Sequence, residues 1–139
     1  MLVLDSNTIS YYFRGDPQVV TRMLALKPSD LAVPAIVVYE LKCGLNRLPD
    51  EASRPRLQAL DTLLQSVWKL PFDDGCADVA ASLRASLERQ GTPIGPMDTL
   101  IAATALHHRA PLVTRNVKEF SRVPELNVIN WHSDAPDGH

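Results

Sequence analysis

This chain of 139 residues predicts an α/β fold with a mostly parallel central sheet of four to five strands. Three observations carry that expectation. Short, mostly apolar runs recur at Leu2-Val3-Leu4, Leu31-Ala32-Val33, Val67-Trp68-Lys69-Leu70, Leu112-Val113-Thr114 and Val128-Ile129. Segments with apolar residues at helical spacing separate these runs, which implies βαβ units with helices on both faces of the sheet. The length suits one domain, able to bury about two-thirds of the surface its unfolded form exposes.

The elements follow in order. After the first run, Ser6-Asn7-Thr8 supplies helix-capping chemistry, and Ile9, Tyr12 and Phe13 continue at helical spacing. Gly15-Asp16-Pro17 punctuates, and 17–27 carries Val19, Val20, Met23, Leu24 and Leu26 in an amphipathic pattern opened by proline. Pro34 closes the second run and leads a helix over 35–48 through Ile36, Val37, Leu41 and Leu45. Pro49-Asp50-Glu51 breaks that helix, and 52–66 forms the next through Leu57, Leu60, Leu63 and Leu64. The third run ends at Pro71, and 73–90 is helical along Ala77, Ala80, Leu83 and Leu87. Residues 91–96 are a turn-rich loop, and 98–108 a strongly apolar helix. The domain is expected to span 1–131, with 132–139 a frayed tail.

Composition narrows the function. With 14 basic and 16 acidic side chains the net charge is -2, so bulk positive charge cannot drive polyanion binding. Cys43 and Cys76 stand far apart without zinc-ribbon or disulfide spacing, and are expected to be buried thiols. No signal peptide and no membrane-length apolar run are recognised, so a cytoplasmic location is expected.

Three carboxylates interrupt the apolar pattern. Asp5 follows the first strand directly, at its carboxyl end. Glu40 sits at the margin of an apolar helix face, beside Ile36, Leu41 and Leu45. Asp98 shares a helix stripe with Ile101, Ala102 and Ala105 and is expected to point along the buried side. A buried carboxylate must be protonated or matched by a cation. Each residue also has a plain alternative: Asp98 as a helix cap, Asp5 as a turn residue, Glu40 as a surface residue. Ligands on open α/β sheets bind beyond the carboxyl ends of the strands, near which all three fall.

Leu4-Asp5-Ser6-Asn7, Tyr39-Glu40-Leu41, Pro96-Met97-Asp98-Thr99-Leu100-Ile101-Ala102-Ala103 and Leu112-Val113-Thr114-Arg115-Asn116-Val117-Lys118-Glu119-Phe120, in this order and spacing, resemble the PIN-domain signature. More narrowly, they resemble the VapC group of bacterial toxin ribonucleases. The resemblance covers residues 1 to about 131 and implies a three-layer α/β/α PIN domain. It also implies a metal-dependent endoribonuclease acting on RNA, with transfer or ribosomal RNA the expected substrate. Asp5, Glu40 and Asp98 match the acidic triad and are the implied metal ligands. The fourth acidic position falls on Asn116, an amide with no charge, so Glu119 is a candidate substitute. Thr114 and Asn7 match positions that support the ligands. The resemblance further implies a small VapB-like antitoxin as partner, a homodimer, and a larger assembly with the antitoxin.

An all-oxygen ligand set selects Mg²⁺ or Mn²⁺ rather than zinc. Arg14, Lys42, Arg47, Arg115 and Lys118 lie near the acidic positions and are candidate phosphate contacts. Tyr11, Tyr12 and Phe13 with Leu41 and Leu45 line either a partner groove or the core. His107 and His108 end a helix, where cations complement its dipole, and are not expected in catalysis. Trp68 and Trp131 read as core or edge aromatics. Two rival readings remain: a PIN-like binding module with a degenerate site, for which Asn116 speaks, and an aspartate-based phosphatase, which Asp5-Ser6-Asn7-Thr8 resembles except that Asn7 replaces the required second aspartate.

Overall fold

The computed structural model describes residues 1–132. Five parallel strands form one sheet in the order β3-β2-β1-β4-β5, from β1 (Leu2–Leu4), β2 (Leu31–Pro34), β3 (Trp68–Leu70), β4 (Leu112–Val113) and β5 (Val128–Ile129). The first strand in the chain lies at the centre. Val3 stands opposite Ala32 on one side and Leu112 on the other. Val3, Leu4, Ala32, Val33, Leu112 and Val113 are all buried, as strands covered on both faces require.

Among the described residues, seven α-helices connect and flank the strands: α1 (Ser6–Phe13), α2 (Pro17–Leu24), α3 (Ala35–Asn46), α4 (Asp50–Ser66), α5 (Asp74–Arg89), α6 (Pro96–His107) and α7 (Val117–Phe120). Each inserts its apolar stripe into the common core through residues such as Ile9, Val37, Leu60, Leu87, Ile101 and Phe120. Each such side chain contributes about 1.5–3 kcal/mol of burial. Gly15 and Gly91, just past the ends of α1 and α5, hold the left-handed conformation (φ 77° and 71°) that stops a helix.

The boundaries differ from expectation where proline and capping chemistry intervene. The segment 17–27 is helical only to Leu24, because Pro28 opens a single 3-10 turn, Pro28–Asp30. Pro49 does not merely break the chain; it stands at the N-cap of α4, which starts two residues early and accommodates Pro55 in its second turn. α6 starts at Pro96, with Gly95 as its N-cap. α7 escapes a reading of periodicity because it is one turn long.

Trp68 is an edge aromatic, 57% exposed on β3, with its indole N–H donating to Ser29 O at 2.9 Å. Trp131 is buried. Cys76 is buried as expected, whereas Cys43 is only partly so. The tail expected from 132 begins otherwise. His132 is buried, its Nε2 stands 3.1 Å from Asp16 Oδ2, and its ring meets Tyr11 edge-on with centroids 4.7 Å apart. The remaining tail, 133–139, lies outside the described residues. Among the described residues, no helix is long and apolar enough to cross a membrane.

Candidate active site

A parallel sheet gathers the carboxyl ends of its strands along one edge, and the acidic residues use this edge. Asp5 leaves β1 and at once caps α1, with its Oδ1 accepting the Thr8 N–H at 2.8 Å. An anion is favoured there by the aligned N–H groups of the helix start. Asp5 is only 4% exposed. Burial raises its pKa above the usual carboxylate range, and hydrogen bonds from Thr114 and Thr8 offset part of that rise. Thr114 follows β4 and is itself buried. Its oxygen also accepts the Asn116 N–H at 3.0 Å, so one hydroxyl ties Asp5 to the start of α7.

Asp98 lies in the first turn of α6, so the cap reading fails and the ligand reading keeps its geometry. Its pKa is pushed up to about 8, first by burial, then by a hydrogen bond with Glu119 and the charges of Glu119, Glu40 and Asp5. Asp98 therefore feels all three other carboxylates, and it shares a proton with Glu119 when no cation is near. Glu40 reaches in from α3, and its Oε1 is buried without a hydrogen-bond partner. A buried unsatisfied oxygen costs about 1–3 kcal/mol. A raised proton affinity, an orphaned oxygen and an oxygen-only donor set fit a hard divalent cation held by Asp5, Glu40 and Asp98.

Asn116 was the expected fourth position. It is exposed, and its side-chain N–H₂ donates to Glu119 Oε2 at 3.3 Å. Gly95 N–H meets Glu119 Oε1 at 3.4 Å. The amide thus orients the fourth carboxylate, and Glu119 supplies the charge beside Asp98. Sequence reasoning missed Thr8 as a support for Asp5. Its signal was the three-residue spacing from Asp5, the usual reach of an N-cap side chain. Asn7 is exposed and lines the adjoining groove, while Thr8 makes the contact with Asp5.

Beside the carboxylates, α1, α3 and α4 enclose a groove of about 990 Å³. Glu40 and Arg14 lie on its wall with Phe13, Leu41 and Leu45. Tyr11 and Tyr12 pack against the core instead. Arg14 and Arg115 both sit over the Tyr11 ring, 5.5 and 5.6 Å from its centroid, and Arg115 donates to the Tyr11 hydroxyl at 3.4 Å. Lys42 is committed elsewhere: it pairs with Asp61 of α4 at 3.1 Å, and two residues beyond Glu40 means about 200° around the helix. Arg47 and Lys118 are exposed.

Thr114→Val keeps the shape of the side chain and removes both hydrogen bonds. We expect it to cost about 1–3 kcal/mol in urea unfolding and about 10–100-fold in metal affinity, the latter measured by Mn²⁺ titration. Unchanged Mn²⁺ affinity would show that Thr114 does not position Asp5.

The PIN domain family model matches residues 2–126. This chain belongs to the PIN-domain family. The PIN domain is 34% identical to Ribonuclease VapC2 of Rickettsia felis over 131 residues, covering 93% of this chain and 96% of that one. It is 29% identical to the tRNA(fMet)-specific endonuclease VapC of Salmonella typhimurium over 129 residues, with the same coverage. Among solved structures, FitAcB from Neisseria gonorrhoeae superposes with a TM-score of 0.87 at 31% identity, covering 96% of this chain and all (100%) of that chain. VapBC2 from Rickettsia felis, bound to a DNA fragment from its promoter, gives a TM-score of 0.85 at 30% identity, covering 94% of this PIN domain and 98% of that chain. These likenesses place the PIN domain in the VapC group.

Proposed function

We propose that this PIN domain is a Mg²⁺- or Mn²⁺-dependent endoribonuclease, the toxin of a toxin–antitoxin pair, with tRNA as its substrate class and a VapB-like antitoxin as its inhibitor. The observation that carries the reading is the acidic cluster at the sheet edge, in which Asp98 is pushed up to about pKa 8 by burial and by three other carboxylates. Such a cluster is strained without a cation, and a strained acidic cluster is typical of sites built to bind one. The naming of the Salmonella relative as tRNA(fMet)-specific supports tRNA over other RNAs, and the complexes among the structural relatives support the antitoxin.

A bound Mg²⁺ or Mn²⁺ supplies positive charge that lowers the pKa of a water and offsets charge gathering on the phosphate. The protein's own groups do the rest. Thr8 and Thr114 fix the Asp5 carboxylate, so its direction does not depend on substrate. Asp98 and Glu40 complete the ligand set from α6 and α3. Glu40 Oε1, with no internal partner, is free to accept a proton from an attacking water. Glu119, oriented by Asn116 and Gly95, sets a further carboxylate beside Asp98. Arg14, in the groove wall, meets the phosphate backbone of the RNA.

The test is cleavage of total RNA by purified protein with Mn²⁺ or Mg²⁺, and with EDTA. Discrete tRNA fragments that require the metal are expected. Cleavage that persists in EDTA would overturn the metal dependence. Absence of both cleavage and Mn²⁺ binding would establish a degenerate binding module. The phosphatase reading has no support in a chain whose Asn7 stands outside the cluster.

A further inference from the structure

We infer that Asp73, Cys76 and His107 form a second metal site, of the zinc type, that ties the start of α5 to the end of α6. The inference does not depend on the nuclease reading. Asp73 caps α5 and its Oδ1 accepts the Cys76 N–H at 3.0 Å. His107 is the last residue of α6, and its Nε2 stands 3.7 Å from Asp73 Oδ1. That gap is longer than a hydrogen bond. It lies close to the separation of about 3.3–3.6 Å between neighbouring ligands on a tetrahedral zinc ion. One ligand atom from each of Asp73, Cys76 and His107 lies within 4.8 Å of the other two.

Gly75 provides an independent observation. It lies in the first turn of α5, where alanine would be the better helix former. A Cβ at this position would collide with the His107 ring. The chain thus keeps a poor helix former where the imidazole must lie against the backbone between Asp73 and Cys76. The neighbouring His108 meets His107 edge-on at 5.3 Å, and its Nε2 is buried without a partner. Spare nitrogen is therefore concentrated at this end of α6.

The donor set sets the ion. One nitrogen, one thiolate sulfur and one carboxylate oxygen suit zinc, whereas Mg²⁺ and Mn²⁺ prefer oxygen alone. On binding, the Cys76 thiol gives up its proton to solvent as the sulfur–metal bond forms, and water takes the fourth position. Asp98 lies nine residues before His107, about 13 Å away along the helix axis, so the two metal sites are separate. The second ion would brace the helix that carries Asp98.

The probe is Co²⁺ added to the full-length, untagged, metal-free protein. We expect one equivalent to bind at this site, apart from any Co²⁺ taken by the carboxylate cluster, with a near-ultraviolet thiolate-to-cobalt charge-transfer band and the strong visible bands of tetrahedral cobalt. One equivalent of Zn²⁺ should remove both. The charge-transfer band should vanish in Cys76→Ser and in His107→Ala, and persist in Cys43→Ser and Asp98→Asn. His107 is substantially exposed, so His107→Ala decides the matter even if Cys76→Ser fails to fold. No thiolate band in the folded native chain would overturn the proposal. So would a band that survives His107→Ala.

Discussion

Asp98→Asn is expected to abolish RNA cleavage, by about 10²–10⁴-fold, while the protein remains folded. The amide preserves volume and removes the charge at the centre of the carboxylate cluster. The same substitution changes the pH dependence of stability. In the folded, metal-free protein Asp98 holds its proton up to about pH 8, against 3.8 for the ordinary side chain. Between those values the folded state binds more protons than the unfolded state, so raising the pH through this window favours unfolding. The stabilisation present below pH 4 is lost as pH rises towards 8. Because Asp98 is about half exposed, solvent screens the effect. Asp98→Asn should flatten that decline, and so should saturating Mn²⁺ in the native chain, where the cation takes the place of the proton. Thermal melts by circular dichroism from pH 4 to 9 check this. A native melting curve independent of pH would refute the carboxylate coupling.

Phe120→Ala should give the largest loss of stability of any change near the site, about 3–5 kcal/mol in urea unfolding. Phe120 is 1% exposed and anchors α7, a single turn of four residues. A helix this short is not stable by itself and holds its place through packing. Removing the ring leaves a cavity and frees the segment that presents Glu119. Cleavage should therefore fall together with stability, even at temperatures where the variant is folded. Val117→Ala, on the exposed side of the same turn, should stay within about 0.5 kcal/mol of the native chain. A Phe120→Ala loss below about 1 kcal/mol would show that α7 is held by its hydrogen bonds instead.

Much of the molecule was legible because its signals are strong and local. Short apolar runs marked all five strands, of which β1, β2 and β4 are the well-buried ones, and Asp5, Glu40 and Asp98 stood out as charges where the pattern wanted none. What was not legible depends on contacts that only the folded chain makes. Asn116 and Glu119 are three residues apart, and only the bond from the amide to Glu119 shows which of them carries the charge. Lys42 looked available until α4 brought Asp61 to it. α7 is too short to show a period, and His132 looked like loose tail because Asp16, its partner, lies 116 residues away. Thr8 was hidden by its role: its backbone N–H, not its side-chain type, makes the closest contact with Asp5.

The central position of the first strand has a consequence for the birth of the protein. Of the five described strands β1 is made first, yet its second edge waits for β4, Asp5 waits for Thr114, and Asp98 waits for Glu119. At translation speeds of about 5–20 residues per second, the interval is on the order of ten seconds. During that time the nascent chain holds its first carboxylate but cannot assemble the cluster. Topology thus makes the cluster dependent on a residue as late in this domain as Glu119, and a chain that has reached only β2 holds no assembled site.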